Sequence, residues 1–192
     1  MRRRARTRWA NRSALGLLVV VGLGAALLVL VAARLRAGST AQPAPAVETY
    51  AVTENAHVTG PVRYSQDPPV GGRHAPVWQN CGFYAADVPN EAAVHSMEHG
   101  AVWITYRSGL PATQLDLLRR LARDPAGRGY VLVSEYPTLP ADTPVVASAW
   151  GKQQRLHSVD EAALRSFIGS FAAGPQTPEA GAPCSGGAGA PD

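Results

Sequence analysis

Residues 67–106 read DPPVGGRHAPVWQNCGFYAADVPNEAAVHSMEHGAVWITY, and the fold turns on how this stretch divides. Three of the five histidines, one of the two cysteines and two of the four tryptophans fall within it. Its densest piece, Asn90 to Gly100, predicts a helix of two to three turns. Asn90 is suited to the N-cap, where its side-chain oxygen accepts from free N–H groups of the first turn. Gly100 is suited to close the helix, because it takes a left-handed conformation without a Cβ clash. His95 and His99, four residues apart, share a face, and Glu91 stands one turn earlier on the same stripe. Val94 and Met97 lie on a second stripe suited to packing. The segment Ala101 to Tyr106 (AVWITY) that follows is rich in β-branched and aromatic residues and reads as a strand.

Upstream, Val62 to Gly82 is punctuated by Pro68-Pro69 and Gly71-Gly72 and reads as an ordered loop, with Trp78 available to bury. Val47 to Val58 alternates apolar residues, which predicts a strand ending near His57. Downstream, Pro111 opens a helix with the stripe Leu115, Leu118, Leu121, and Asp124-Pro125 ends it. Tyr130 to Tyr136, Pro144 to Trp150 and Gln153 to His157 read as strands. Ser158 to Glu161 has the form of a capping box. The helix it opens would bury Leu164, Phe167, Ile168 and Phe171. The fold class expected is α+β: a small mixed β-sheet with about three helices, preceded by one N-terminal transmembrane helix.

That last element comes from the other end of the chain. Residues 1–12 hold six arginines and no acid, and residues 13–33 carry no charge. About 20 apolar residues span a bilayer as a helix, and a cleavable leader has a shorter apolar core of roughly 7–15, so 13–33 reads as an uncleaved signal anchor. The arginine excess ahead of it places the N-terminus in the cytoplasm and the main domain outside, in a single-pass cell-membrane protein. Residues 34–46 read as a linker, 47–173 as the extracytoplasmic α+β domain, and 174–192 as a flexible Gly/Pro/Ala-rich tail. Eight of the 18 basic residues flank the span and all 14 acidic residues lie beyond it. The outer portion therefore has 10 basic against 14 acidic residues, and the overall charge of +4 gives no support to nucleic-acid binding.

Several segments are similar to a known family. His57-Val58-x-Gly60-Pro61-Val62, Pro68-Pro69-Val70-Gly71-Gly72-x-His74, Pro76-Val77-Trp78-Gln79-Asn80-Cys81-Gly82 and His95-Ser96-Met97-Glu98-His99-Gly100 resemble the bacterial membrane-anchored family catalogued as domain of unknown function 3105. Ala149-Trp150-Gly151 and Pro178-Glu179 are similar too, whereas Arg73 stands where members usually have proline. The resemblance implies no activity, so function must be read from the residues.

The leading chemical reading is a metal site of His95 and His99 with His74 brought by the loop, and His57 as the fourth candidate. Imidazole suits copper and zinc, and one such ion is the cofactor expected. Glu98 and Glu91 are candidate outer acceptors that fix an imidazole tautomer. Met97 lies about 200° around the helix from each histidine and reads as core packing. A second reading is a structural or partner-binding envelope domain without metal, its protein partner unknown. A third is a zinc hydrolase, because His95-x-x-Glu98-His99 matches the inverted zinc-peptidase pattern with Glu98 as general base. The short helix, the small domain and the lack of an evident downstream glutamate ligand weigh against it. Cys81 and Cys184, outside the cytoplasm, are expected to pair, with Cys81 as a free thiolate ligand the alternative. The bond would close a loop of roughly 100 residues, for which chain entropy gives about 4.7 kcal/mol.

Overall fold

A computed structural model describes residues 44–192. The flank 1–12, the expected span 13–33 and most of the linker lie outside the described residues. Among those described, no helix is long and apolar enough to cross a membrane. The elements run β1 (Glu48–Thr49), β2 (Gly82–Phe83), α1 (Asn90–Glu98), β3 (Val102–Tyr106), α2 (Ala112–Ala122), a 3₁₀ turn at Pro125–Gly127, β4 (Val131–Glu135), β5 (Val145–Ala149), β6 (Lys152–Leu156) and α3 (Glu161–Phe171). The strands form one mixed sheet in the order β1-β6-β5-β3-β4-β2. β4 runs parallel to both β2 and β3, while β3–β5, β5–β6 and β1–β6 are antiparallel. This is an α+β fold.

The sheet is covered on both faces, which explains why its central strands are buried at every position. Alternation along β3 sends Val102, Ile104 and Tyr106 to one face and Trp103 to the other. The first face packs against Leu118 and Leu121 of α2 and Leu164, Phe167 and Ile168 of α3. The second takes Ala93, Val94 and Met97 of α1, with Trp150 alongside. Met97 is thus a core residue, as its helical angle requires.

Three local expectations need correction. The Val47–Val58 strand shrinks to Glu48–Thr49, paired with the edge strand β6. The chain beyond it leaves the sheet, and His57 bridges His74 in the loop instead. Asn90 is the first residue of α1 and not its cap; Pro89 holds the cap position, and the Asn90 amide donates to Tyr136 Oη at 3.3 Å. At α3 the cap is Asp160, which accepts from Ala163 N–H at 3.1 Å, so Ser158 is one step too early.

The C-terminus of α1 is closed as expected. Gly100 N–H donates to Met97 O (3.0 Å) and Ala101 N–H to Ser96 O (2.8 Å), the pair of bonds that defines a Schellman closure. Gly100 has φ +110, and a Cβ there would stand 2.9 Å from Ala173 Cα. The last turn of α1 is therefore locked against the segment that leads into the tail. Gly100→Ala is expected to lower unfolding stability by at least about 1–3 kcal/mol, the cost of a strained backbone position. Urea denaturation measures this, and an unchanged midpoint would contradict the close approach.

Candidate metal centre

The site is assembled where three chain segments meet at α1. The helix itself supplies His95, Glu98 and His99. The loop is fastened along it by backbone groups: Ala75 N–H donates to Glu91 O (3.3 Å) and Gln79 N–H to Ala92 O (3.1 Å). The buried Ser96 hydroxyl donates to Gln79 O at 2.6 Å. Gln153 of β6 and Gly151 of the β5–β6 turn also hold the loop, Gln153 Nε2 donating to Pro68 O (2.9 Å) and Gly151 N–H to Val70 O (2.7 Å). Val58 N–H to His74 O (2.7 Å) and His74 N–H to Ala56 O (3.1 Å) then set His57 beside His74. The tail arrives last. Cys81 and Cys184 form a disulfide, Cys81 N–H donates to Cys184 O (2.8 Å), and Glu179 N–H donates to Glu98 O (3.1 Å). Residues 174–192 thus carry no helix, yet they are tied along the domain.

The four expected histidines come together. Ring centroids lie 4.9 Å apart for His57 and His74, 4.7 Å for His57 and His95, 4.8 Å for His74 and His95, and 4.5 Å for His95 and His99. Trp78 covers His95 and His99, at 5.7 and 4.8 Å. The rings fall into two groups that share a member. His57, His74, His95 and Glu98 each offer a donor atom within 4.8 Å of the others, and so do His95, His99 and Glu179. These groups can hold a metal ion.

Three of the rings are held by the same device. His74 Nδ1 lies 2.8 Å from Gly72 O, His95 Nδ1 2.7 Å from Ala75 O, and His99 Nδ1 2.7 Å from Pro183 O. A carbonyl oxygen can only accept, so each Nδ1 carries a hydrogen and, in the neutral ring, each Nε2 presents a lone pair. His74 Nε2 is fully buried and makes no hydrogen bond, although Glu98 Oε2 is only 2.8 Å away. A lone pair facing a carboxylate oxygen at that distance repels it; a proton on Nε2, making an imidazolium–carboxylate pair, or a metal ion bound by both groups relieves the repulsion. Burial pushes the His95 imidazole down to about 4, the neighbouring His99, His74 and His57 rings adding to the shift and the Ala75 hydrogen bond opposing it. A neutral imidazole is the form that binds metal.

His57 is the outermost member, its side chain 49% exposed, with Nε2 3.9 Å from Glu98 Oε2. It borders a surface depression of about 430 Å³, also lined by Val58, Thr59, Arg73 and Pro76. The donor set is nitrogen and oxygen throughout. Met97 is in the core, and both cysteines are consumed in the disulfide, which removes the thiolate-ligand alternative for Cys81.

Glu98 sits among the donors, closer in than the outer role expected of it. Glu91 is elsewhere: its Oε1 accepts Val62 N–H at 2.7 Å, and the orienting task expected of it falls to backbone carbonyls. Glu179, 3.4 Å from His99 Nε2, is a donor that the residue pattern did not single out. Its one signal was the Pro178-Glu179 similarity.

Residues 57–186 match the family model described as a protein of unknown function, DUF3105. The chain belongs to this family. The DUF3105 match takes in His57, His74, His95, His99, both carboxylates of the groups and both cysteines. No curated protein and no solved structure matches the chain.

The metal-free chain is expected to hold His95 as the neutral Nδ1–H tautomer at pH 6. Its folded-state value near 4 lies below the ordinary 6.5, so from about pH 6.5 down to about 4 the unfolded chain binds a proton that the folded chain does not. This group therefore removes stability as the solution is acidified through that range. Ring-nitrogen NMR checks it; an imidazolium His95 at pH 6 would contradict the burial.

Proposed function

We propose that this domain binds one transition-metal ion, zinc or copper, through His57, His74, His95 and Glu98. The observation that carries the reading is His74 Nε2, a buried nitrogen without a hydrogen bond, set against a buried carboxylate oxygen at 2.8 Å. In the neutral Nδ1–H tautomer that nitrogen is an unsatisfied buried acceptor, a cost of about 1–3 kcal/mol that a metal ion bound by both groups would remove. Donors at about 2.0–2.1 Å from a tetrahedral ion stand about 3.4 Å apart, so the wider spacings, up to 4.8 Å, must contract and the 2.8 Å His74–Glu98 pair must open by roughly half an ångström. Imidazole nitrogens with one carboxylate suit zinc or copper(II), and the described site offers no sulfur to favour copper(I).

The binding domain is proposed to lie outside the cytoplasm, carried on a membrane anchor at residues 13–33. The disulfide supports this, since such bonds persist in oxidising compartments. The hydrolase reading asks Glu98 to stand free as a base beside the ion, whereas its carboxylate lies among the donors.

Titration of the purified full-length chain with zinc, copper(II) and copper(I), against competing chelators, tests the proposal. One ion per chain is expected, with affinity weakened more than about 100-fold in a folded His95→Ala variant, beyond the range for outer partners. Binding that His95→Ala retains in full would overturn it, and the histidines would then be loop-fixing residues of a partner-binding domain.

A further inference from the structure

The donors left over by this site have an order of their own. His99 is nearly fully buried, its Nδ1 is committed to Pro183 O at 2.7 Å, and its Nε2 faces Glu179 Oε2 at 3.4 Å. Glu179 is itself half-exposed, and its backbone N–H is fixed on Glu98 O at 3.1 Å. Helix and tail thus present a nitrogen and an oxygen to one point, and His95 is the third donor within reach.

We propose that His95, His99 and Glu179 form a second position for the same ion, overlapping the first and excluded whenever the first is filled. This rests on the metal-binding reading above and adds to it. The exclusion follows from the electrons of one ring. His95 Nδ1 bears the hydrogen given to Ala75 O, so Nε2 is its only free donor. An imidazole nitrogen has one lone pair in the ring plane and can bind one ion at a time. With His95 engaged on the first side, the second keeps two protein donors; with His95 engaged on the second side, the first keeps three. The four-donor position is therefore favoured, and the three-donor position leaves one place on a tetrahedral ion for water or an outside ligand.

The second position also depends on the tail. Pro183 supplies the carbonyl that orients His99, and the adjacent Cys184 is bonded to Cys81. Glu179 and Pro183 stay beside α1 because that bond and the Glu179 N–H to Glu98 O contact hold the segment there. Each position has one solvent-facing donor, His57 at 49% and Glu179 at 50% side-chain exposure, so the buried His95 stands between two exposed entries.

Zinc titration of the full chain with ring-nitrogen NMR tests this. The wild type is expected to take one zinc ion per chain, moving the His74 and His95 signals. The double variant His57→Ala/His74→Ala leaves the first position two protein donors against three at the second. It is expected to keep one zinc ion at affinity reduced by about 100-fold or more, with His99 now moving together with His95. Adding Glu179→Gln at its exposed position is expected to weaken that remaining binding by a further tenfold or more. His57→Ala/Glu98→Gln, which likewise removes two donors from the first position, serves in its place if that variant does not fold. Two zinc ions bound per wild-type chain would overturn the exclusion. A His99 signal unmoved by zinc in the double variant, or no further loss with Glu179→Gln, would overturn the second position while the first stands. A wild-type chain that binds no zinc or copper would remove the underlying reading itself.

Discussion

The bond from the Nδ1 of His74, His95 and His99 to a backbone carbonyl is the constraint on which the site depends. Gly72, Ala75 and Pro183 supply those carbonyls, two from the loop and one from the tail. Loop and tail must therefore be held within a fraction of an ångström for the rings to converge. The fastening is redundant for that reason. Ser96, Glu91, Gln153 and Gly151 hold the loop from helix and sheet, while the disulfide and Glu98 O hold the tail. Helix α1 is itself packed on the sheet, Val94 and Met97 lying in one buried cluster with Trp103 and Leu132.

Helix α1 thus has two faces with opposite demands. Its apolar face gains from burial at roughly 25 cal/mol per Å² of apolar surface removed from water. Its polar face buries His95, Glu98 and His99, groups that cost free energy unless fully partnered. Backbone carbonyls satisfy one side of each ring. What remains on the first side is Nε2 of His74 and His95 with the Glu98 carboxylate, and in the proposed function an ion supplies their common partner. A fold that concentrates this cost in one place, opened to solvent through His57, has a binding site as its most economical explanation.

Much of this was legible in the sequence, for physical reasons that differ from element to element. β3 was clear because Val-Trp-Ile-Thr-Tyr is β-branched and aromatic and lies between breakers. α3 was clear because its stripe has helical spacing, and the His95/His99 face because i, i+4 fixes it. The failures are local competitions and long-range contacts. Asp160 outcompeted Ser158 as a cap by standing next to the first turn, and Asn90 found Tyr136 instead of its own helix. Glu91 shares the stripe of His95, but a loop amide reached it first. Glu179 could not be placed by any periodic rule, because its approach to His99 is made by a tail whose path is set by a distant disulfide. Strand order, too, is a matter of pairing between segments far apart in the chain.

The most direct test of the central claim is X-ray absorption at the metal edge of the full chain loaded with one equivalent of zinc. The account predicts a shell of nitrogen and oxygen near 2.0–2.1 Å, the outer scattering of coordinated imidazole rings, and no sulfur near 2.3 Å. A sulfur shell, or a spectrum without imidazole scattering, would contradict it.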